Sequence, residues 1–207
     1  MKFTVLVFVS LFSVAAFCQT AKIDLARAQV IAEATCASCH YKDGNATFST
    51  TPKIAGQYEA YLLKQLRDYK GLPGKQPTRT APSMLAPLGI LTDADFRGLA
   101  VYYSQKQLTP EKSKHPETLA LGQRLWRAGN PAKGLPACAG CHGPSGQGIP
   151  PRYPRLQGQF ADYLKNTLIA YQAGTLRNDL TGAMPDIAQR MSTAEIEAVS
   201  DYAAGLR

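Results

Sequence analysis

No stretch of the sequence alternates apolar and polar residues as a half-buried strand would, so a β-fold is not expected. Nor is there an apolar run long enough for a bilayer-spanning helix of about 20 residues. The longest, Phe3 to Phe17, ends just before Cys18 and lies between Lys2 and the charged Lys22 and Asp24. At about 15 residues it has the length of a signal core, and residues 1–21 are read as an export signal, with an uncleaved anchor as the competing reading. Negative charge is scarce, with 15 acidic against 23 basic residues and a formal charge of +8. The excess is spread over both halves and no nucleic-acid motif accompanies it, so nucleic acid is not expected as a partner and acidic protein surfaces are.

What is present is concentrated in the cysteines. With Cys18 inside the signal, four of the five remain, all in two copies of one motif: Cys36-Ala37-Ser38-Cys39-His40 and Cys138-Ala139-Gly140-Cys141-His142. On a helical turn, cysteines at i and i+3 share a face and can form thioethers to the two vinyl groups of a haem. The histidine at i+4 is then carried under the iron. Disulfides and paired zinc-binding CxxC motifs are the alternatives, but neither needs a histidine after the second cysteine in both copies. Two covalently bound haem c groups are therefore expected, with His40 and His142 as iron ligands. In a chain of 207 residues they would also help fill two small cores of roughly 90 residues each.

An internal repeat supports this reading. Pro52-Lys53-Ile54-Ala55-Gly56-Gln57-Tyr58 matches Pro154-Arg155-Leu156-Gln157-Gly158-Gln159-Phe160 at an offset of 102, the same as between the motifs. Further on, Thr92-Asp93-Ala94-Asp95 matches Ser192-Thr193-Ala194-Glu195 at an offset of 100, each a hydroxyl N-cap with a carboxylate three residues later. Three helices per half are expected: about 24–34, 57–70 and 93–105, then 118–128, 159–173 and 193–205, the first of each running into its motif. The polar, proline-bracketed stretch 109–117 reads as a linker between units 22–108 and 118–207.

The repeat also places Met84 and Met184 at equivalent points, between the middle and last helices. A thioether opposite histidine raises the potential of a haem and suits electron transfer. These two are read as the second iron ligands. Met191, where the first half has Leu91, is assigned to packing, and His115 in the linker is expected to be exposed.

Taken together, the motifs, the Pro-[Lys/Arg]-[Ile/Leu]-x-Gly-Gln-aromatic stretches and the late methionines resemble the cytochrome c4 family, across essentially the whole mature chain. The resemblance implies an all-α fold of two tandem class I cytochrome c-like domains, each wrapped around one haem. It also implies that Pro52 and Pro154, 12 residues after the histidines, offer their carbonyls to the imidazoles. Two family features are missing from the first half: Tyr41 stands where a glycine is usual, and the first helix lacks the glycine-to-aromatic pattern of Gly122 and Trp126. The implied role is a periplasmic electron carrier and not an enzyme. It would take electrons from a quinol–cytochrome c reductase and pass them to a terminal oxidase, partners through which it could associate with the membrane. The alternative is a haem subunit of a larger periplasmic oxidoreductase, or a dihaem enzyme.

Overall fold

The structure is a computed structural model and describes residues 23–71, 73–179 and 181–207. The export signal read at 1–21 lies outside these residues. Among them no helix is long and apolar enough to cross a membrane, and the extended pairing is confined to two isolated bridges, Asn130 with Leu135 and Ile149 with Tyr153.

The first half contains α1 (Leu25–Ile31), a π-helical turn (Ala32–Cys36), α2 (Ala37–His40), α3 (Glu59–Lys70), α4 (Pro82–Gly89) and α5 (Asp93–Ser104). The second contains α6 (Leu119–Ala128), α7 (Ala139–His142), α8 (Ala161–Gln172), α9 (Ala183–Gln189) and α10 (Thr193–Gly205). In each half the N-terminal helix packs on the C-terminal one, α1 on α5 and α6 on α10, and the middle helix packs on that same C-terminal helix. Two separate hydrophobic clusters result, one around Phe96 and Leu99, the other around Trp126 and Ile196.

Small residues set the helix crossings, and the two halves place them on opposite helices. In the first, a side chain on Gly98 of α5 would stand 3.0 Å from the Ala28 Cβ of α1. In the second, the glycine is Gly122 of α6, where a Cβ would fall within 2.6 Å of Tyr202 Cβ and even closer to the Ala198 carbonyl of α10. The glycine that α1 lacks is thus found on its partner helix instead.

One expectation needs correcting. The first half does run from α1 into its motif without a break, but in the second α6 stops at Ala128 and a loop intervenes. Gly129 turns the chain at φ +69°, and a Cβ there would lie 2.7 Å from the Pro136 carbonyl carbon. The packing equates Ala28 with Gly122, an offset of 94, whereas the motifs differ by 102, so eight residues are inserted between them.

That loop has a structural use. Both C-terminal helices start with the expected capping box, in which Thr92 and Ser192 each exchange hydrogen bonds with the carboxylate residue three positions on. The box carboxylates are buried and each needs a cation. Asp95 is paired with Arg27 of α1, whereas Glu195 is held by Lys133 at 2.7 Å and Asn130 at 3.1 Å, both from the inserted loop. Burial opposes ionisation of Glu195, but hydrogen bonds from Lys133, the Ser192 backbone and Asn130 outweigh it and hold the carboxyl at about 2. The Arg27 hydrogen bond likewise outweighs burial and keeps Asp95 well below the usual range. A carboxyl whose folded pKa is depressed contributes stability that is complete above its unfolded pKa and lost as pH falls through the folded value. The thermal midpoint, followed by helix circular dichroism, should therefore fall between roughly pH 4.5 and pH 2. Glu195→Gln should lower stability at pH 7 and flatten that fall; equal slopes for both proteins would remove Glu195 from the account.

Candidate functional site

The two four-residue helices, α2 and α7, carry the histidines at their last positions, so each imidazole leaves the helix where the chain turns away. His40 and His142 are both buried. Their Nδ1 atoms lie 2.9 Å from the Pro52 carbonyl oxygen and 3.0 Å from that of Pro154. A carbonyl can only accept, so Nδ1 carries the proton and Nε2 is left bare, the tautomer a metal ligand needs. Burial pushes both imidazoles below their ordinary pKa, with the carbonyls opposing weakly. Both rings are therefore neutral donors at pH 7.

Immediately after each histidine the backbone takes a conformation that glycine tolerates best. Gly143 adopts it at φ +80° and ψ 156°, and Tyr41 adopts nearly the same one at φ +61° and ψ 161°. Among the described residues, Tyr41 alone among non-glycines has positive φ. A side chain in that region costs about 1–3 kcal/mol, so the first half carries a strain from which the second is free.

Cys36, Cys39, His40 and Met84 share the wall of one cavity of about 590 Å³. Tyr61, Leu62, Leu66 and Tyr69 complete its apolar lining, so the stripe of α3 faces the cavity. The cavity crosses the boundary between the halves, where Leu156, Tyr163, Leu164 and Leu176 form its far side. Cys138, His142 and Met184 stand off this wall. Met184 is half-buried in the first turn of α9, its N–H donating to Asp179 Oδ2 at 2.8 Å. Met191 is buried in the second core, and His115 is exposed.

The chemistry of this wall suits a haem and not the alternatives. The four motif cysteines form no disulfide, and among the described residues no three His, Cys, Asp or Glu side chains are grouped as a metal site. Two wall groups are left wanting by the protein itself. The Tyr103 hydroxyl is buried with no oxygen or nitrogen partner, facing only the Cys36 thiol. The Arg79 guanidinium donates to Gln65 and, at 2.9 Å, to the Tyr163 hydroxyl, but no carboxylate among the described residues pairs with it. A cation facing an apolar cavity with only neutral partners fits a cofactor that brings its own carboxylates, as a haem does with its propionates. Sequence reasoning missed Arg79 and Tyr103. Arg79 lies beyond the point where the repeat loses register, and Tyr103 aligns with Ala203, so neither is marked by repetition.

Comparisons with known proteins agree. The model of the cytochrome c family matches residues 25–105, and that of cytochrome c oxidase, cbb3-type, subunit III matches residues 117–202. Cytochrome c4 of Thiocapsa roseopersicina is 41% identical over 179 residues, covering 84% of this chain and 88% of that protein. A thiosulfate dehydrogenase electron acceptor of Thiomonas intermedia is 33% identical over 174 residues, covering 83% and 78%. The crystal structure of reduced recombinant cytochrome c4 from Pseudomonas stutzeri superposes with a TM-score of 0.82 at 36% identity, covering 89% of this chain and 99% of that one. Two cytochrome c domains, each with a CxxCH motif, imply two covalently bound haem c groups. By sequence, by fold and by the paired His–Pro geometry, this chain belongs to the cytochrome c4 family of dihaem electron-transfer proteins.

Proposed function

We propose that the protein is a periplasmic carrier in which His40 with Met84 would hold the iron of one haem, and His142 with Met184 that of the other. Units 22–108 and 118–207 hold one haem each, with 109–117 as the connector. The haems supply reversible one-electron chemistry. The chain's residues supply the rest. Cys36, Cys39, Cys138 and Cys141 tether, Pro52 and Pro154 fix the imidazoles, Arg79 offsets propionate charge, and the apolar wall keeps water from the metal. The observation that carries this reading is the pair of matched histidine–proline contacts, which hold both rings rigidly as ligands and leave neither free for acid–base work.

The donor we propose is a quinol–cytochrome c reductase and the acceptor a terminal oxidase, both docking acidic surfaces on a chain with formal charge +8. Any membrane association would come through these partners. The relative named as a thiosulfate dehydrogenase electron acceptor favours a second reading, in which a periplasmic dehydrogenase is the donor. Electrostatic docking weakens as salt shortens the Debye length from about 10 Å at 0.1 M to about 3 Å at 1 M. Reduction by purified reductase, followed in a stopped-flow instrument, is expected to slow at least tenfold over that range, with both haems reduced and no small substrate added. Salt-insensitive reduction, or reduction by a dehydrogenase alone, would count against this placement.

A further inference from the structure

The repeated stretch Pro-[Lys/Arg]-[Ile/Leu]-x-Gly-Gln-aromatic does more than position a proline. Its glutamines cross the boundary between the halves and are exchanged. Gln159 Oε1 accepts from the Lys53 N–H at 2.9 Å, and Gln159 Nε2 donates to the Lys53 carbonyl at 2.8 Å. In the other direction, Gln57 Oε1 accepts from the Arg155 N–H at 3.1 Å, and Gln57 Nε2 donates to the Arg155 carbonyl at 2.9 Å. Each Oε1 also accepts from the next residue of its own chain segment, Phe160 or Tyr58, at 3.0 Å. Flipping either amide would set its NH2 group against two N–H donors, so the orientation is fixed. Both glutamines are buried.

The peptide that each glutamine grips is the one that holds the other half's histidine. The Pro52 carbonyl and the Lys53 N–H belong to one planar trans amide, and point to opposite sides of it. On one side the carbonyl accepts from His40 Nδ1 at 2.9 Å; on the other the N–H donates to Gln159. The Pro154–Arg155 amide is arranged in the same way between His142 and Gln57. An amide whose N–H is engaged is a better acceptor at its oxygen, by about 10–30% per bond in a chain. A stronger acceptor at Nδ1 makes the imidazole a stronger ligand through Nε2. That favours the ferric over the ferrous iron.

We infer that Gln57 and Gln159 are crossed positioning residues, each tuning the iron of the opposite half through a single peptide unit. The inference rests on His40 and His142 being the axial ligands proposed above. It makes the potential of each haem a property of both halves, with a path of one side chain and one amide between them.

The test uses the full holoprotein and four variants, with the potential of each haem read by spectroelectrochemistry and assigned by haem-methyl NMR. Gln159→Leu removes the acceptor, and the reduced-to-oxidised ratio of the first haem at fixed ambient potential should rise about threefold, or ~28 mV at 59 mV per tenfold. The second haem should not move. Gln57→Leu should do the reverse. Gln159→Glu keeps an acceptor for the Lys53 N–H and adds charge, so the first haem should shift the opposite way from Gln159→Leu. Tyr58→Phe removes another bond between the halves, its hydroxyl donating to the Gln147 carbonyl at 2.8 Å; it touches neither amide and should leave both potentials in place. Lys53 amide exchange, slow in the wild type, should quicken in Gln159→Leu independently of redox state. Equal shifts at both haems, like-signed shifts for Leu and Glu, or a Tyr58→Phe shift as large as Gln159→Leu would reduce the glutamines to a staple between domains and overturn the inference. A wild-type protein whose NMR spectrum lacks the strongly shifted signals of iron-bound imidazoles would overturn the histidine reading and the inference together. Those signals present with potentials unmoved would overturn the inference alone.

Discussion

Met84→Ala is expected to turn one of two closed irons into a ligand-binding site. Wild-type reduced protein should bind no carbon monoxide; the variant should bind one equivalent per chain, tightly enough to titrate. The near-infrared sulfur-to-iron band should halve, and the potential of the first haem should fall, since loss of the soft thioether removes a preference for ferrous iron. Met84 is half-buried on α4, so the substitution should cost less than the ~2–5 kcal/mol of a fully buried methionine. Met184→Ala should give the same result at the second haem. Met191 is the discriminating control. It is buried in the second core with Trp126 and Ile196, so Met191→Ala should destabilise by about 2–5 kcal/mol without opening an iron. If Met191→Ala admitted carbon monoxide and Met184→Ala did not, the ligand assignment in the second half would be wrong.

Trp126→Ala should be the most destabilising single change outside the motifs. The indole is 1% exposed. Its ring lies 6.4 Å from that of Tyr202 and 6.5 Å from His142, and its N–H donates to the Pro144 carbonyl at 3.1 Å. Truncation leaves a cavity beside His142 and strands that carbonyl, a combination expected to cost about 3–5 kcal/mol. Against a total of about 5–15 kcal/mol for a domain, that is enough to separate the unfolding of the second half from that of the first. Urea unfolding, monitored by the Soret band of each haem, should show one early and one unchanged transition. A loss below ~1 kcal/mol would mean that Trp126 is not the keystone of its core.

Much of this was legible in the sequence because the chain states it twice. The two CxxCH motifs, the capping boxes and the all-helical pattern each recur, and repetition turned single residues into equivalences. Met84 could be set against Met184 before any geometry was known. What stayed hidden is what the two copies do not share. Aligning motif on motif concealed the eight residues inserted after α6, because the shift falls where no residue pair is conspicuous. The short helices α4 and α9 around the methionines are too brief to show a period, and Pro87 lies inside the first of them. Arg79 and Arg177 each stand between the middle-helix tyrosine and the methionine of their half, but at different spacings, so no constant offset marks them. The glutamines were visible as part of the repeat, yet their use was not, because Gln159 meets Lys53 across 106 residues and sequence spacing says nothing about contact at that range.

The exchange of small residues between partner helices bears on how far the two halves can trade parts. Glycine sits on α5 in one and on α6 in the other, and bulk follows the same rule: Ala32 stands where the second half has Trp126, and Tyr103 where it has Ala203. Each half is thus a lock cut to its own key. Grafting α1 onto α10 would set Ala28 against Ala198 with no room for two methyl groups, while α6 on α5 would bring Gly122 to Gly98 and Trp126 to Tyr103, a gap beside a collision. A duplicated ancestor whose copies have diverged this way can no longer repair one from the other, and recombination between them is closed off at the helix crossing long before it is closed at the motifs.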